Sequence, residues 1–158
     1  MSLVEKKFTK ILVGIDGSES SNHAASYAID LFKKYETDLI ILSIVPSKVH
    51  HGDSSGVFGM VSPSSLENYK KKSEIWIKEI LNKIESEGLT EGYEKRIKTD
   101  VITSPFSIAA AILNYAEERD VDLIIIGTRG NSGLKKMLLG SVASDVVTYS
   151  YCPVLVIK

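Results

Sequence analysis

The sequence predicts an α/β fold of three layers, in which a parallel sheet is covered by helices on both faces. Short apolar runs rich in β-branched residues recur along the 158-residue chain. They are continuous rather than alternating, which is typical of strands buried on both faces. Segments with helical spacing separate these runs, and such alternation of strand and helix is typical of parallel sheets. Because no linker or internal repeat interrupts the pattern, we expect one domain over residues 1–158.

Two buried strands are predicted in the first third of the chain. Residues 10–15 form a β-branched run that ends at the turn cluster Asp16-Gly17-Ser18. A helix follows, and its expected N-cap is Ser20 or Ser21, because serine hydroxyls accept from the free amides of a first turn. Residues 39–45 form the second continuous apolar run.

Residues 46–65 differ from the rest in composition. They contain six serines and no apolar periodicity. We predict a long mobile loop, a type of segment that often acts as a lid or a binding loop. His50 and His51 lie within it, but without a third ligand they do not predict a metal site.

The rest of the chain continues the alternation. A strand that alternates with polar residues is predicted at an edge of the sheet, since it is half exposed. The predicted elements are a helix over residues 66–84, the half-exposed strand over 93–101, a helix over 108–116, a strand over 121–126, a helix over 142–150 and a last strand over 154–157.

The composition excludes several classes of function. A net charge of -1 provides no electrostatic footprint for nucleic acid or for an anionic membrane. The single cysteine, Cys152, excludes an internal disulfide framework. The apolar runs are too short to span a bilayer and no signal core precedes them, so we expect a cytoplasmic protein.

A glycine-rich segment after the fourth predicted strand is the best candidate for a phosphate cradle. Gly127, Gly130 and Gly133 precede Gly140-Ser141, which opens a helix. Glycines let backbone amides approach a ligand, and a helix start supplies free N–H donors. The spacing G-x2-G-x9-G-[ST] matches neither the dinucleotide fingerprint nor the Walker A pattern. The alternative is a plain turn between strand and helix, with Lys135 and Lys136 solvated.

A second candidate is Asp16 at the carboxyl end of the first strand. Open α/β sheets bind ligands at this edge. If the first and fourth strands are neighbours, Asp16 and Gly127 face one crevice, where the carboxylate could accept hydrogen bonds from a ribose or an adenine. The alternative is that Asp16 stabilises the turn and the first helix, and the sequence leaves both open.

Three segments together resemble the universal stress protein family. They are residues 10–18, the glycine pattern of residues 127–141 and residues 152–156. The resemblance covers essentially the whole chain, and the glycine pattern is that of the ATP-binding branch. It implies a Rossmann-like fold of the adenine nucleotide alpha hydrolase-like type, with five parallel strands in the order 3-2-1-4-5. In that order the first and fourth strands flank the switch point.

The resemblance also implies ATP as cofactor, with or without Mg²⁺. It implies that Asp16 contacts the adenosine, that the Ile44 backbone meets the adenine, and that the start of the last helix donates to phosphates. Arg129 either reaches a terminal phosphate or faces solvent. The implied ATP contacts are Ile15, Asp16, Ile44, Gly127, Thr128, Arg129, Gly130, Asn131, Ser132, Gly133, Gly140, Ser141 and Val142.

The last strand predicts a homodimer. Val154–Ile157 is apolar on both faces, yet in this strand order it lies at an edge, and an exposed apolar edge invites pairing. The resemblance suggests a homodimer independently.

We expect the bound ATP to act as a regulatory ligand in a stress response. No strong general base or nucleophile lies beside the cradle in the sequence, so fast hydrolysis is not expected, whereas slow hydrolysis or self-phosphorylation stays open. Two alternatives stay open as well: a dimeric interaction module that does not bind nucleotide, and an enzyme with a small anionic substrate.

Overall fold

The computed structural model describes residues 8–50, 58–89, 91–128 and 139–158. Its strands, in chain order, are β1 (Lys10–Gly14), β2 (Asp38–Pro46), β3 (Lys48–His50), β4 (Phe58–Met60), β5 (Ile97–Ser104), β6 (Leu123–Gly127) and β7 (Val154–Ile157). All but β3 and β4 form one sheet in the order β5-β2-β1-β6-β7, and every neighbouring pair is parallel. Counted within this sheet, the order is 3-2-1-4-5. The predicted fold class and strand order are therefore confirmed.

Helices cover both faces of the sheet. They are α1 (Glu19–Tyr35), α2 (Pro63–Ser86), α3 (Ile108–Glu118) and α4 (Ser141–Tyr149). One hydrophobic cluster joins the sheet to α1 and α2, and a second joins its other face to α3 and α4. Among the described helices, none is long and apolar enough to cross a membrane.

The strands are continuous apolar runs because both of their faces are buried. Ile11 and Val13 of β1 belong to the cluster under α1 and α2, whereas Leu12 belongs to the cluster under α3 and α4. All three are fully buried. Successive side chains of a strand point to opposite faces, so a sheet covered on both sides needs apolar residues at every position.

Serine hydroxyls start three of the helices. Ser18, Ser62 and Ser107 each accept a hydrogen bond from a backbone amide three residues later. The expectation that Ser20 or Ser21 caps α1 was wrong, since the amide of Ser21 donates to Ser18 Oγ at 3.2 Å and the helix begins earlier. Pro63 occupies the first turn of α2, where its missing N–H costs nothing.

The prediction of a loop without secondary structure over residues 46–65 was wrong in part. β3 and β4 pair antiparallel within it as a hairpin. Two backbone hydrogen bonds hold the base of this hairpin. The Ser47 N–H donates to Ser104 O at 2.9 Å, and the Val61 N–H donates to Ser47 O at 3.0 Å. Residues 51–57, with His51, lie outside the described residues.

Several strand ends also differ from prediction, and the starts of two strands differ by two residues or more. Residues 93–96, expected in the half-exposed strand, form a 3-10 helix (Tyr93–Arg96), so β5 begins at Ile97. β5 does lie at an edge of the sheet, as predicted. β6 begins at Leu123 because the Val121 N–H still donates to Ala116 O and closes the end of α3.

Candidate functional site

The carboxyl ends of β1, β2 and β6 open onto a cavity of about 430 Å³. β2 lies on one side of β1 and β6 on the other, so the order in which strands are added to the sheet reverses between β1 and β6. Open α/β sheets bind ligands at such a switch point. The volume falls within the roughly 300–1,000 Å³ that is usual for small-molecule sites.

The structure brings the described members of the predicted ATP-contacting set around this one cavity. Those that line it are Ile15, Asp16, Ile44, Gly127, Thr128, Gly140, Ser141 and Val142. The other predicted members lie outside the described residues, as do Lys135 and Lys136; they are Arg129, Gly130, Asn131, Ser132 and Gly133. Whether these residues contact a nucleotide stays a prediction.

The turn between β1 and α1 holds Asp16 at the cavity. Gly17 has a φ of 76°, a left-handed conformation that favours glycine. The Ser18 N–H donates to Asp16 Oδ1 at 3.0 Å, which closes the turn. The turn-stabilising role of Asp16 is therefore observed. The same half-buried residue also lines the cavity, so that role does not exclude contact with a ligand.

Gly127 allows α1 to pack directly against the end of β6. A side chain at Gly127 would place its Cβ 2.7 Å from the backbone carbonyl carbon of Ser20. Because backbone cannot swing aside as a side chain can, glycine is required here by close approach rather than by φ. The first turn of α1 therefore packs against the end of β6, where the sequence predicts the phosphate cradle.

Backbone hydrogen bonds fix the start of α4 beside the same strand end. The Thr128 N–H donates to Ile157 O at 2.7 Å, and the Gly140 N–H donates to Thr128 O at 2.7 Å. Gly140 is the N-cap of α4 and offers the helix no side-chain cap. The first turn of α4 therefore keeps N–H groups for another acceptor, next to a positive dipole end.

Sequence reasoning missed the residues that α2 and α3 contribute, from the two faces of the sheet, to the cavity. Tyr69, Ser73 and Trp76 of α2 line it, together with Ile108 and Ile112 of α3. Their helical spacing predicted the two helices but not what these residues face. One signal was available in the sequence: Ser73 interrupts the apolar face of α2, and a buried hydroxyl needs a partner.

The partner of that hydroxyl is a second buried serine on β2. Ser43 Oγ donates to Ser73 Oγ at 2.9 Å, and both residues are buried. The bond ties α2 to β2 beside Ile44. Asp16 supplies the charge among the described lining residues, whereas the side chains near β2 and α2 are mostly apolar, with the polar groups of Ser43, Ser73, Tyr69 and Trp76 among them.

Three tyrosines away from the cavity, Tyr93, Tyr115 and Tyr151, have raised pKa values, and the shift is large for the last two. Burial raises the pKa of Tyr115 to about 12, and a hydrogen bond from its hydroxyl to Asp100 adds to the shift. Burial likewise raises the pKa of Tyr151 to about 12. The Tyr151 hydroxyl contacts the carbonyls of Ala116 and Val121, at the end of α3. These groups hold the fold and do not line the cavity.

Within the described ranges, no group of three or more His, Cys, Asp or Glu side chains is placed to hold a metal ion. His50 belongs to β3 and His23 to α1, on separate elements. The His23 ring nitrogen lies 3.0 Å from the Lys158 carbonyl oxygen, which is a structural contact.

Comparison with known proteins identifies the family. The family model described as "Universal stress protein family" matches residues 7–158. The chain belongs to the universal stress protein family. The universal stress protein YxiE of Bacillus subtilis is 37% identical, over 96% of this chain and 99% of the relative. The universal stress protein MJ0531 of Methanocaldococcus jannaschii is 32% identical, over 98% and 84% respectively.

Solved universal stress protein structures share the fold. UspA from Lactobacillus plantarum superposes with a TM-score of 0.78, covering 96% of this chain and 99% of that chain, at 21% identity. A universal stress protein in complex with cAMP has a TM-score of 0.67 at 23% identity, covering 96% and 98%. One from Archaeoglobus fulgidus in complex with dAMP has a TM-score of 0.67 at 20% identity, covering 96% and 99%.

Proposed function

We propose that this universal stress protein binds an adenine nucleotide, ATP above all, as a regulatory ligand in a stress response. The proposed unit is the whole chain as one domain, residues 1–158. The observation that carries the proposal is a single cavity at the switch point whose two ends differ in chemistry. The start of α4 makes one end, and β2 with α2 makes the other, on opposite sides of β1.

The α4 end suits phosphate. Gly140, Ser141 and Val142 begin a helix that has no side-chain cap, and they line the cavity. Free N–H groups at a helix start and the positive dipole end attract anions. We propose that these amides and the Ser141 hydroxyl donate to phosphate oxygens. Residues 129–133, which lie outside the described residues, are predicted from the sequence to contact the ribose and the phosphates as well.

The β1 and β2 end suits a nucleoside. Asp16 offers a carboxylate that can accept hydrogen bonds from ribose hydroxyls or an adenine amino group. Ile44 lies at the end of β2 and offers backbone groups beside apolar walls. Adenine is the base to test first, because two proteins of this fold were solved with the adenine nucleotides cAMP and dAMP.

A regulatory role is favoured over rapid turnover. The described lining residues offer one carboxylate, Asp16, which already accepts a hydrogen bond from the Ser18 amide. Fast hydrolysis requires a positioned base and a positioned water. We therefore expect ATP to be held far longer than it is turned over, with slow hydrolysis or self-phosphorylation at most.

The first test identifies the ligand directly. Mass spectrometry of the purified protein would reveal a nucleotide carried through purification, and would separate ATP from another small anionic ligand. Isothermal titration with ATP, ADP and AMP, each with and without Mg²⁺, then measures affinity and the role of the cation. Absence of heat at millimolar nucleotide would refute the proposal.

A charge placed at the phosphate end tests the orientation. Ser141→Asp puts a carboxylate at the first position of α4, where the helix dipole favours it, so the fold should be retained. Repulsion of the phosphates should weaken ATP binding at least about tenfold. Ser144→Asp is the matched control, since Ser144 lies on the same helix but does not line the cavity. Equal affinities of both variants would contradict this orientation.

We also propose that the protein forms a two-fold dimer through β7. Within the described part of the chain, this strand ends the sheet and pairs with β6 alone, and Val154, Leu155 and Val156 are partly covered. An unpaired apolar edge is stabilised when a second copy covers it. The alternative function, a dimeric interaction module that does not bind nucleotide, would use the same β7 edge.

Light scattering at micromolar concentration tests the dimer. The unaltered chain should have twice the monomer mass, and Val156→Lys should shift it towards the monomer. Phe106→Lys is the control, because Phe106 is an exposed apolar residue that follows β5, the opposite edge of the sheet. A monomeric mass for the unaltered chain would refute the proposed dimer.

A further inference from the structure

One face of α2 changes character where it reaches the cavity. Farther along the helix, this face is aliphatic and packs into the core with Ile77, Ile80 and Ile84. At the cavity, it carries Tyr69, Ser73 and Trp76 instead. These positions are i, i+4 and i+7, which places them on one side of the helix. We call these three residues the α2 wall.

The two aromatic residues of the α2 wall present ring surface to the cavity. Trp76 is held in place because its ring packs against Gly17, where any Cβ would overlap the indole. Tyr69 lines the cavity and is 43% exposed, so the residue is accessible to a ligand. Flat apolar rings at a pocket are stacking surfaces for planar heterocycles.

The buried serine pair lines the same cavity, and Ser73 lies between the two aromatic residues in the sequence of α2. Ser43 and Ser73 are 1% and 2% exposed, and one hydrogen bond of 2.9 Å joins them. A hydroxyl has one donor and two acceptor sites, so one bond between two hydroxyls leaves further hydrogen-bonding capacity. Two hydroxyls within an otherwise apolar wall can form hydrogen bonds with the edge of a base, which carries both donors and acceptors.

The position of the α2 wall agrees with the proposed orientation. The Ser43–Ser73 bond fastens α2 to β2, whereas α4 packs on the opposite face with α3. A nucleotide whose phosphates lie at the start of α4 therefore extends its base across β1 towards the α2 wall.

We propose that the α2 wall, together with Ser43, selects the base of the nucleotide and favours a purine over a pyrimidine. The inference rests on the proposed nucleotide function and adds its specificity determinant. The larger purine ring stacks over more aromatic surface, and its edge meets the serine pair. Base–aromatic stacking is strong enough to change affinity about tenfold when one ring is removed.

The chain contains its own reporter for this contact. Trp76 is the only tryptophan, so all tryptophan emission comes from the α2 wall. Titration with AMP should change that emission with the same midpoint that calorimetry measures. Ribose 5-phosphate has no base and should leave the emission unchanged. CMP, whose single ring buries less apolar surface against the α2 wall, should bind about tenfold more weakly than AMP.

Variants of Tyr69 separate stacking from a general effect on folding. Tyr69→Ala should weaken AMP binding about tenfold, whereas Tyr69→Phe keeps the ring and should stay within about twofold. Tyr27→Ala is the matched control: Tyr27 is 53% exposed on α1 and does not line the cavity, so its loss should not change AMP affinity.

The outcomes distinguish the inference from the function on which it rests. If AMP binds by calorimetry but neither Trp76 emission nor Tyr69→Ala affinity responds, the α2 wall does not contact the base and the inference fails alone. Equal affinity for CMP and AMP would overturn the purine preference. If calorimetry detects no nucleotide at all, the proposed function and the inference fail together.

Discussion

Gly17→Ala tests whether α2 and the β1–α1 turn form one packed unit at the site. Gly17 has a φ of 76°, and an added Cβ would overlap the Trp76 ring. Gly88 offers a matched control in the same chain. Its φ is 64°, and an added Cβ there meets nothing within 4 Å. The two substitutions therefore share the backbone penalty and differ in the contact with Trp76.

The expected magnitudes follow from these two terms. A non-glycine residue in the left-handed region costs about 1–2 kcal/mol, which applies to both variants. Forcing a methyl group into a packed contact costs a further 1–3 kcal/mol or so, which applies to Gly17→Ala alone. The entropy that alanine removes from the unfolded chain is the same at both positions. Each kcal/mol lowers Tm by roughly 2–4 °C in a chain of this size.

Urea denaturation measured by circular dichroism gives the free energy of unfolding of each variant. We expect Gly17→Ala to be about 1–3 kcal/mol less stable than Gly88→Ala. Adding Trp76→Ala should bring the cost of Gly17→Ala down to that of Gly88→Ala, as a double-mutant cycle would measure. If Gly17→Ala and Gly88→Ala cost the same with Trp76 present, the packing argument is refuted.

Three further predictions concern the strand end, the serine pair and the alkaline limit of stability. Gly127→Ala should destabilise the fold by about 1–3 kcal/mol in urea, since its Cβ would press on the Ser20 backbone; an unchanged midpoint would contradict the close approach. Ser73→Ala should cost about 1–2 kcal/mol by leaving the buried Ser43 hydroxyl without its partner, and replacing both serines by alanine should cost less than the sum of the single changes. The raised pKa of Tyr115, about 12 against 10 when unfolded, favours the folded state while the hydroxyl is protonated. That stability is present below pH 10 and is lost as the pH rises towards 12, so Tyr115→Phe should flatten the alkaline fall of Tm, and an unaltered pH profile would count against it.

The predictions from sequence succeeded where a local pattern is sufficient. Continuous apolar runs such as residues 39–45 identified buried strands, because a strand covered on both faces has no polar position. The βαβ alternation then restricts the topology, since crossovers between parallel strands have one hand. The predicted boundaries of elements were wrong where hydrogen bonds between distant parts of the chain decide them. The hairpin of β3 and β4 is anchored by Ser47 to Ser104, a contact that no local pattern contains.

The candidate site was predictable at its two strand ends and not along its wall. Asp16 and Gly127 could be found because polar and glycine residues after buried strands gather at one sheet edge. Tyr69 and Trp76 could not, because their spacing indicates only which side of α2 is covered. That side is covered because α2 packs against β2, and the two elements are distant from each other in the sequence.

The sequence by itself determined the sheet, its covering helices and the glycine pattern beside a helix start, because periodicity and backbone preferences are local properties. The tertiary structure alone decided that Trp76 packs on Gly17 and that Ser43 meets Ser73. It also decided that one cavity joins the start of α4 to the α2 wall. These contacts depend on how whole elements pack across the sheet, and such packing is set by the summed shape of both clusters rather than by any one segment.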